Sequence, residues 1–159
     1  MKIFAVVGPS GSGKTRLACR LIGEFKRRGL SVAAMKHCHG GFLLDVEGKD
    51  SWRYAGAGAD AVAMIAPEQT AVIWNSSHED DIRSFAASHF AGMDIVFVEG
   101  GRGIRGLKKI EVLRPDVNPA VETAPEELLA VVAGGAVDTD KPVFRDSQIG
   151  ALCDFLISL

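Results

Sequence analysis

Residues Gly8-Pro9-Ser10-Gly11-Ser12-Gly13-Lys14-Thr15 satisfy the spacing G-x-x-x-x-G-K-[ST] at every required position. Glycines at these places let the backbone curl until successive N–H groups converge on phosphate, and Lys14 then reaches the terminal phosphates as a point charge. The Thr15 hydroxyl is placed for magnesium. The chemistry implied is binding of a nucleoside triphosphate with Mg2+. No reaction is specified, because kinases, GTPases, synthetases and motor ATPases share this cradle.

A metal-dependent triphosphate site needs a carboxylate, and the apolar run from Asp94 to Glu99 carries one at each end. In a parallel sheet the ligand lies beyond the carboxyl ends of the strands, which leaves Asp94 roughly 17 Å short at about 3.3 Å per residue. Glu99, followed by Gly100, is therefore the candidate to hold Mg2+ through water or to orient an attacking water. Asp94 reads as the solvated start of its strand. Asp45, Lys49 and Asp50 fall after the second expected strand; Asp45 is a candidate partner of Mg2+ or water, and is equally an ordinary polar loop residue. Lys36 and His37, at a strand end, are placed to touch phosphate or a neighbouring loop. Within Lys36-His37-Cys38-His39 there is no second Cys or His pair to complete a four-coordinate zinc site. Arg53 is a phosphate candidate and, on residue type alone, as readily an exposed helix arginine. From Gly100 to Lys109 four cations stand among four glycines. That composition suits an anionic second ligand, and it also suits a solvated, flexible loop.

These residues must be positioned by strand and helix in alternation. The apolar run Ile3 to Val7 reads as a buried strand and Thr15 to Arg28 as a helix whose N-terminus faces the anion, stopped by Gly29. Ser31 to Met35 makes a second strand, and Asp50 or Ser51 caps a short helix through Ala57. Ala61 to Ile65 and Thr70 to Ile73, split by Pro67-Glu68-Gln69, suit a hairpin as much as two separate strands. Glu79 to Phe90 has a helical pattern, Asp94 to Glu99 is a central strand, and Lys109 to Leu113 and Leu128 to Ala133 are further strands. Asp146 is expected to cap a terminal helix whose stripe is Ile149, Leu152, Cys153, Leu156 and Ile157. The alternation gives an α/β, three-layer P-loop NTPase fold: a mostly parallel sheet flanked by helices, room for a β-hairpin insertion, and one domain over residues 1–159.

A formal charge of −2 argues against a nucleic-acid surface. Apolar runs fall far short of a membrane span and no leader segment is evident, so the expectation is a cytoplasmic protein with neither nucleic-acid nor membrane partner. Cys19, Cys38 and Cys153 are widely spaced and suit a reducing compartment; Cys19 and Cys153 read as helix core.

Taken together, GPSGSGKT, KHCHGGF, the segment from Asp45 to Ala59 containing GKDSWRYAGAGA, DIVFVEG and KKIEVLRP resemble the MobB family of molybdopterin-guanine dinucleotide biosynthesis adaptor proteins, nearly end to end. The resemblance implies GTP binding with slow hydrolysis, Mg2+, a homodimer, and assistance to the guanylyltransferase that attaches GMP to the molybdenum cofactor. By position it carries the nucleotide cradle onto Gly8 to Thr15, an acidic loop onto Asp45 to Arg53, and a second carboxylate motif onto Glu99-Gly100. The guanine-reading pattern [NT]-K-x-D is absent from the chain. Asp138 and Asp140 are the nearest carboxylates able to accept from guanine N1 and N2, and are equally turn residues before Pro142. Readings of other classes are a small-molecule kinase or ATP-dependent ligase using the basic loop to hold an anionic acceptor, and a binding module whose GTP state orders a partner surface.

Overall fold

The computed structural model describes residues 1–38, 40–74, 81–114, 116–117 and 120–159; His39, Glu79, Asp80 and Pro115, used above, lie outside the described residues. Along the chain the elements are β1 (Lys2–Val7), α1 (Lys14–Arg27), β2 (Val32–Lys36), α2 (Asp50–Gly56), β3 (Ala61–Ala66), β4 (Gln69–Trp74), α3 (Ile82–His89), β5 (Ile95–Glu99), β6 (Lys108–Val112), β7 (Leu128–Val132), β8 (Val143–Phe144) and α4 (Ile149–Ser158). They fall into two compact units, Met1–His37 with Asp80–Leu159, and Cys38–Glu79.

The larger unit is built on a six-stranded sheet in the order β2-β5-β1-β6-β7-β8, every pairing parallel. Strands covered on both faces read as unbroken apolar runs, which is why Phe4 to Val7 and Ile95 to Val98 are buried throughout. Alternate side chains feed two cores. On one face Phe4, Val6, Phe97 and Ile110 pack with Leu17, Leu21 and Phe25 of α1 and Leu152, Cys153 and Leu156 of α4. On the other, Ala5, Val7 and Val98 meet Ile82 of α3. Burial pushes the Cys153 thiol up to about 11, as befits an inert core residue.

Helix α1 starts from Gly13 in the left-handed region at φ 102°, and Gly29 at φ 81° follows its end. Its buried stripe is Leu17, Ala18, Leu21 and Phe25, and Cys19, expected in the core, is exposed because it lies off that stripe. Helix α3 is shorter than the 79–90 expectation: the Asp81 side chain accepts from the Ser84 N–H at 3.0 Å and α3 begins at Ile82. Asp146 does not cap the terminal helix. It opens a 3₁₀ turn, Asp146–Gln148, preceded by Arg145, while its carboxylate takes Arg16 and Arg20 of α1. Ile157 is 41% exposed and leaves the α4 stripe. The two-residue strand β8 was not anticipated.

The connection Gly100 to Leu107 also departs from expectation. β5 and β6 flank β1, with Glu99 opposite Val6 and Lys108 opposite Phe4, so the chain must cross β1 to enter β6. It crosses on the face away from α1, where Ile104 and Leu107 pack with Ala5, Val7 and Val98. A strap on the sheet replaces the expected mobile loop.

The smaller unit settles the choice left open at residues 61–73. β3 and β4 are an antiparallel hairpin with Ala66 opposite Gln69 around Pro67-Glu68, forming a two-stranded sheet of their own. Among the described residues no helix is long and apolar enough to cross a membrane.

Candidate functional site

The site begins where β1 runs out of apolar residues. Gly8 has φ 149°, and a Cβ there would lie 2.6 Å from Ser12 Oγ and 2.8 Å from the Val112 carbonyl oxygen, so only glycine closes the loop at this point. The Ser12 N–H donates to the Pro9 carbonyl at 3.3 Å, folding the loop over, and the chain enters α1 directly from Gly13. N–H groups in the first turn of a helix lack intrahelical acceptors and favour an anion; the first turn of α1 holds no acidic residue to compete for them. Lys14 Nζ donates to the Pro9 carbonyl at 2.7 Å, which keeps its charge over the loop it serves.

On the adjacent strand, Glu99 meets this loop directly. Thr15 Oγ1 donates to Glu99 Oε1 at 2.8 Å, and Lys36 Nζ lies 3.8 Å from the same oxygen. The backbone repeats the connection: the His37 N–H donates to the Glu99 carbonyl at 2.9 Å and the Gly100 N–H to the Val6 carbonyl at 3.0 Å. Gly100 has φ 91° and would bring a Cβ within 3.1 Å of the His37 carbonyl oxygen. Thr15, Lys36, His37, Glu99 and Gly100 therefore converge as the sequence suggested. Two hard oxygen donors side by side suit Mg2+, and the glycine-lined loop suits a triphosphate. Asp94 sits at the far end of the same sheet, where the Ser31 hydroxyl and N–H hold its carboxyl below the usual carboxylate range.

Asp45, Lys49, Asp50 and Arg53 belong to the smaller unit, and their described roles there are local. Asp45 Oδ1 accepts from the Val46 N–H and the Ser51 hydroxyl, both at 2.8 Å. Lys49 precedes α2, Asp50 opens it and Arg53 lies in its last turn.

Three of the four cations of the strap, Arg102, Lys108 and Lys109, make contacts within the larger unit. Arg102 pairs with Glu122 and, at 3.2 Å, with Glu111. Lys109 is 2% exposed, pairs with Glu127 and donates to the Ile104 carbonyl at 2.8 Å. Lys108 donates to the Glu126 carbonyl at 2.9 Å. Glu111 is wholly buried and takes the N–H groups of Glu122 and Thr123 besides Arg102.

Three residues near the loop were given no site role by the sequence. Arg114, just past β6, donates to the Gly11 carbonyl at 2.9 Å and to Asp116 at 2.9 Å, bracing the phosphate loop from the side. Arg16, in the first turn of α1, and Asp146 border a cleft of about 450 Å³ between the loop and the ends of β6 and β7. Their positions at strand ends and in the first turn of α1 were a usable signal. Asp138 and Asp140 line a different cleft, with Val121 to Pro125.

An all-parallel sheet with a phosphate-binding loop between its inner strand and first helix, and a strand-end carboxylate meeting the hydroxyl after the loop lysine, is the architecture of the P-loop NTPase class. Within it, the family model described as MobB, molybdopterin guanine dinucleotide synthesis protein B, matches residues 3–134, and the chain belongs to that family. The molybdopterin-guanine dinucleotide biosynthesis adapter protein of Haemophilus influenzae is 30% identical over 155 residues, 97% of this chain and 86% of that protein. The Escherichia coli protein of the same description is 26% identical over 160 residues, 98% of this chain and 91% of that one. A crystal structure of molybdopterin-guanine biosynthesis protein B superposes with a TM-score of 0.72 at 30% identity, covering 98% of this chain and 97% of that chain. Bacillus subtilis MobB, at 24% identity and TM-score 0.76, covers 99% of this chain and 97% of that chain and shares the fold.

Proposed function

We propose that the chain is a GTP-binding adapter that takes GTP with Mg2+, hydrolyses it slowly, and as a homodimer assists the guanylyltransferase converting molybdopterin cofactor to its guanine dinucleotide form. The observation that carries this reading is the Thr15–Glu99 pair at 2.8 Å beside the phosphate loop. Lys14 and the loop N–H groups would hold the phosphates, Thr15 and Glu99 the metal, and Glu99 is placed to orient water. Bound Mg2+ would neutralise charge on the phosphates.

Slow turnover follows from the arginines. Fast phosphoryl transfer needs a cation delivered to the transferring group. Around this loop Arg102 is engaged by Glu111 and Glu122, Arg114 by Gly11 and Asp116, and Arg16 and Arg20 by Asp146. A kinase or ligase would need the cations of the strap for an acceptor, and Arg102, Lys108 and Lys109 are engaged by Glu111, Glu122, Glu126 and Glu127.

The test is guanylylation of molybdopterin cofactor by the purified transferase with GTP and Mg2+, with and without this protein, together with calorimetric titration of GTP. Wild type should stimulate, and Lys14→Ala should lose about 1.4 kcal/mol or more of GTP binding, a factor of ten. Absence of stimulation by wild type overturns the adapter role; unchanged affinity in Lys14→Ala overturns the phosphate site.

A further inference from the structure

The cleft of about 450 Å³ lies across β1 from Glu99: its floor comes from Leu17 of α1 and from Val112 and Val132 at the ends of β6 and β7, and Arg16, Gly134 and Asp146 form its rim. This cleft adjoins the loop on the β6 side, opposite the Thr15–Glu99 pair on the β5 side. Its floor is nearly closed to solvent, with Leu17 at 1%, Val132 at 4% and Val112 at 6% exposure. Such a floor suits the face of a planar ring.

The rim adds a reader for the ring's edge. Arg16 and Arg20 both meet Asp146 at Oδ2, each at 2.5 Å, and Arg20 also donates to the Asp146 carbonyl at 2.6 Å. Oδ1 is left for a further donor. Guanine presents N1–H and its 2-amino group side by side, two donors to a carboxylate, whereas adenine presents the N1 lone pair at the corresponding edge. We infer that this cleft receives the purine base and that Asp146 selects guanine over adenine by accepting from N1–H and the 2-amino group at Oδ1. The inference rests on the triphosphate reading of the phosphate loop and adds the residue that chooses the base. Arg16 and Arg20 both hold Oδ2, and either one fixes the carboxylate's rotamer, so Asp146 acts by direct contact with the base.

The experiment is calorimetric titration of GTP, ATP, ITP and XTP with Mg2+ into wild type, Asp146→Asn and Arg20→Gln, each checked by thermal melting. Wild type should prefer GTP to ATP by about tenfold or more, and ITP, which keeps N1–H and lacks the 2-amino group, should bind about tenfold less tightly than GTP. In Asp146→Asn the carboxamide oxygen stays on the two arginines and its NH2 takes the place of Oδ1, a donor facing the two donors of guanine but the N1 lone pair of adenine. Asp146→Asn should therefore weaken GTP about tenfold, leave XTP no tighter and narrow the GTP-to-ATP ratio. Arg20→Gln, which removes an ion-pair partner and keeps the carboxylate, should preserve the GTP-to-ATP ratio. A parallel fall in all four nucleotides in Asp146→Asn, wild-type GTP affinity in that variant, or loss of the ratio in Arg20→Gln overturns the inference. Equal wild-type affinity for GTP, ITP and ATP overturns it while leaving the phosphate site standing, and no triphosphate binding at all overturns the proposed function itself.

Discussion

Replacing Glu111 with Gln should destabilise the larger unit by about 2–3 kcal/mol, although the substitution keeps the shape of the side chain. The magnitude comes from what the buried carboxylate holds. One oxygen accepts the Thr123 N–H at 2.9 Å, both share the Glu122 N–H at 3.2 and 3.3 Å, and Arg102 Nη2 lies 3.2 Å away. The amide keeps one acceptor, which retains the Thr123 N–H at 2.9 Å and the Glu122 N–H at 3.2 Å, while the new NH2 faces Arg102, donor against donor. Two backbone bonds to a charged acceptor become bonds to a neutral one, at about 1 kcal/mol each, and the unmatched Arg102 donor adds to it. Arg102 is 34% exposed and regains water, but its removal leaves the buried Glu111 carboxylate with backbone donors alone, so Arg102→Ala should also destabilise the unit. The assay is urea unfolding followed by far-ultraviolet circular dichroism. Tryptophan emission is the wrong probe, because Trp52 and Trp74, the two in the chain, both lie in the Cys38–Glu79 unit. A loss below about 0.5 kcal/mol in Glu111→Gln refutes the premise that the charge of the buried carboxylate carries the effect.

Glu99→Gln should slow GTP hydrolysis about tenfold or more with little change in GTP affinity, and Asp94→Asn should leave turnover intact; single-turnover rates for both check which end of β5 serves the chemistry. Gly8→Ala should cost about 2–4 kcal/mol in urea unfolding, because the Val112 carbonyl that its Cβ would strike at 2.8 Å belongs to the sheet and cannot yield. Lys109 and the Gly106 N–H hold the Glu127 carboxyl below its ordinary value of 4.5. The folded form therefore binds fewer protons than the unfolded one, so this stability is present above about 4.5 and is lost as pH falls through the lowered folded value. Urea midpoints at pH 7 and below pH 4 should fall more steeply with acid in wild type than in Lys109→Met, and equal slopes would sink the assignment.

Local code made much of this molecule legible. The phosphate loop, β1, α1 and β5 are each written in a short contiguous stretch whose glycines or unbroken apolar run has one physical reading. Even Cys19 was recoverable, since it falls off the three- and four-residue spacing of Leu17, Leu21 and Phe25. The strap was not. Arg102, Lys108 and Lys109 look like a solvated basic loop until Glu111, Glu122, Glu126 and Glu127 arrive from later segments, and nothing near residues 100–109 announces them. Glu111 in particular sits in a strand that alternates charged and apolar residues, a pattern that ordinarily marks one wet face. Asp146 likewise reads as a helix cap locally and gains its other role only through α1.

The place of β1 in the sheet also governs how the protein is born. The phosphate loop lies within the first fifteen residues, yet the strand that supports it pairs with β5 and β6, with Lys2 opposite Ile95 and Phe4 opposite Lys108. During synthesis the apolar β1 and the apolar stripe of α1 emerge ahead of β5 and β6 and wait for roughly ninety residues before either neighbour of β1 exists. Pairings this distant in sequence must close long loops before any contact repays the ordering, which slows folding and leaves adhesive surface exposed meanwhile. Nascent chains halted short of β6 should therefore hold the nucleotide loop without the means to shape it, and lean on chaperones until the second flanking strand leaves the ribosome.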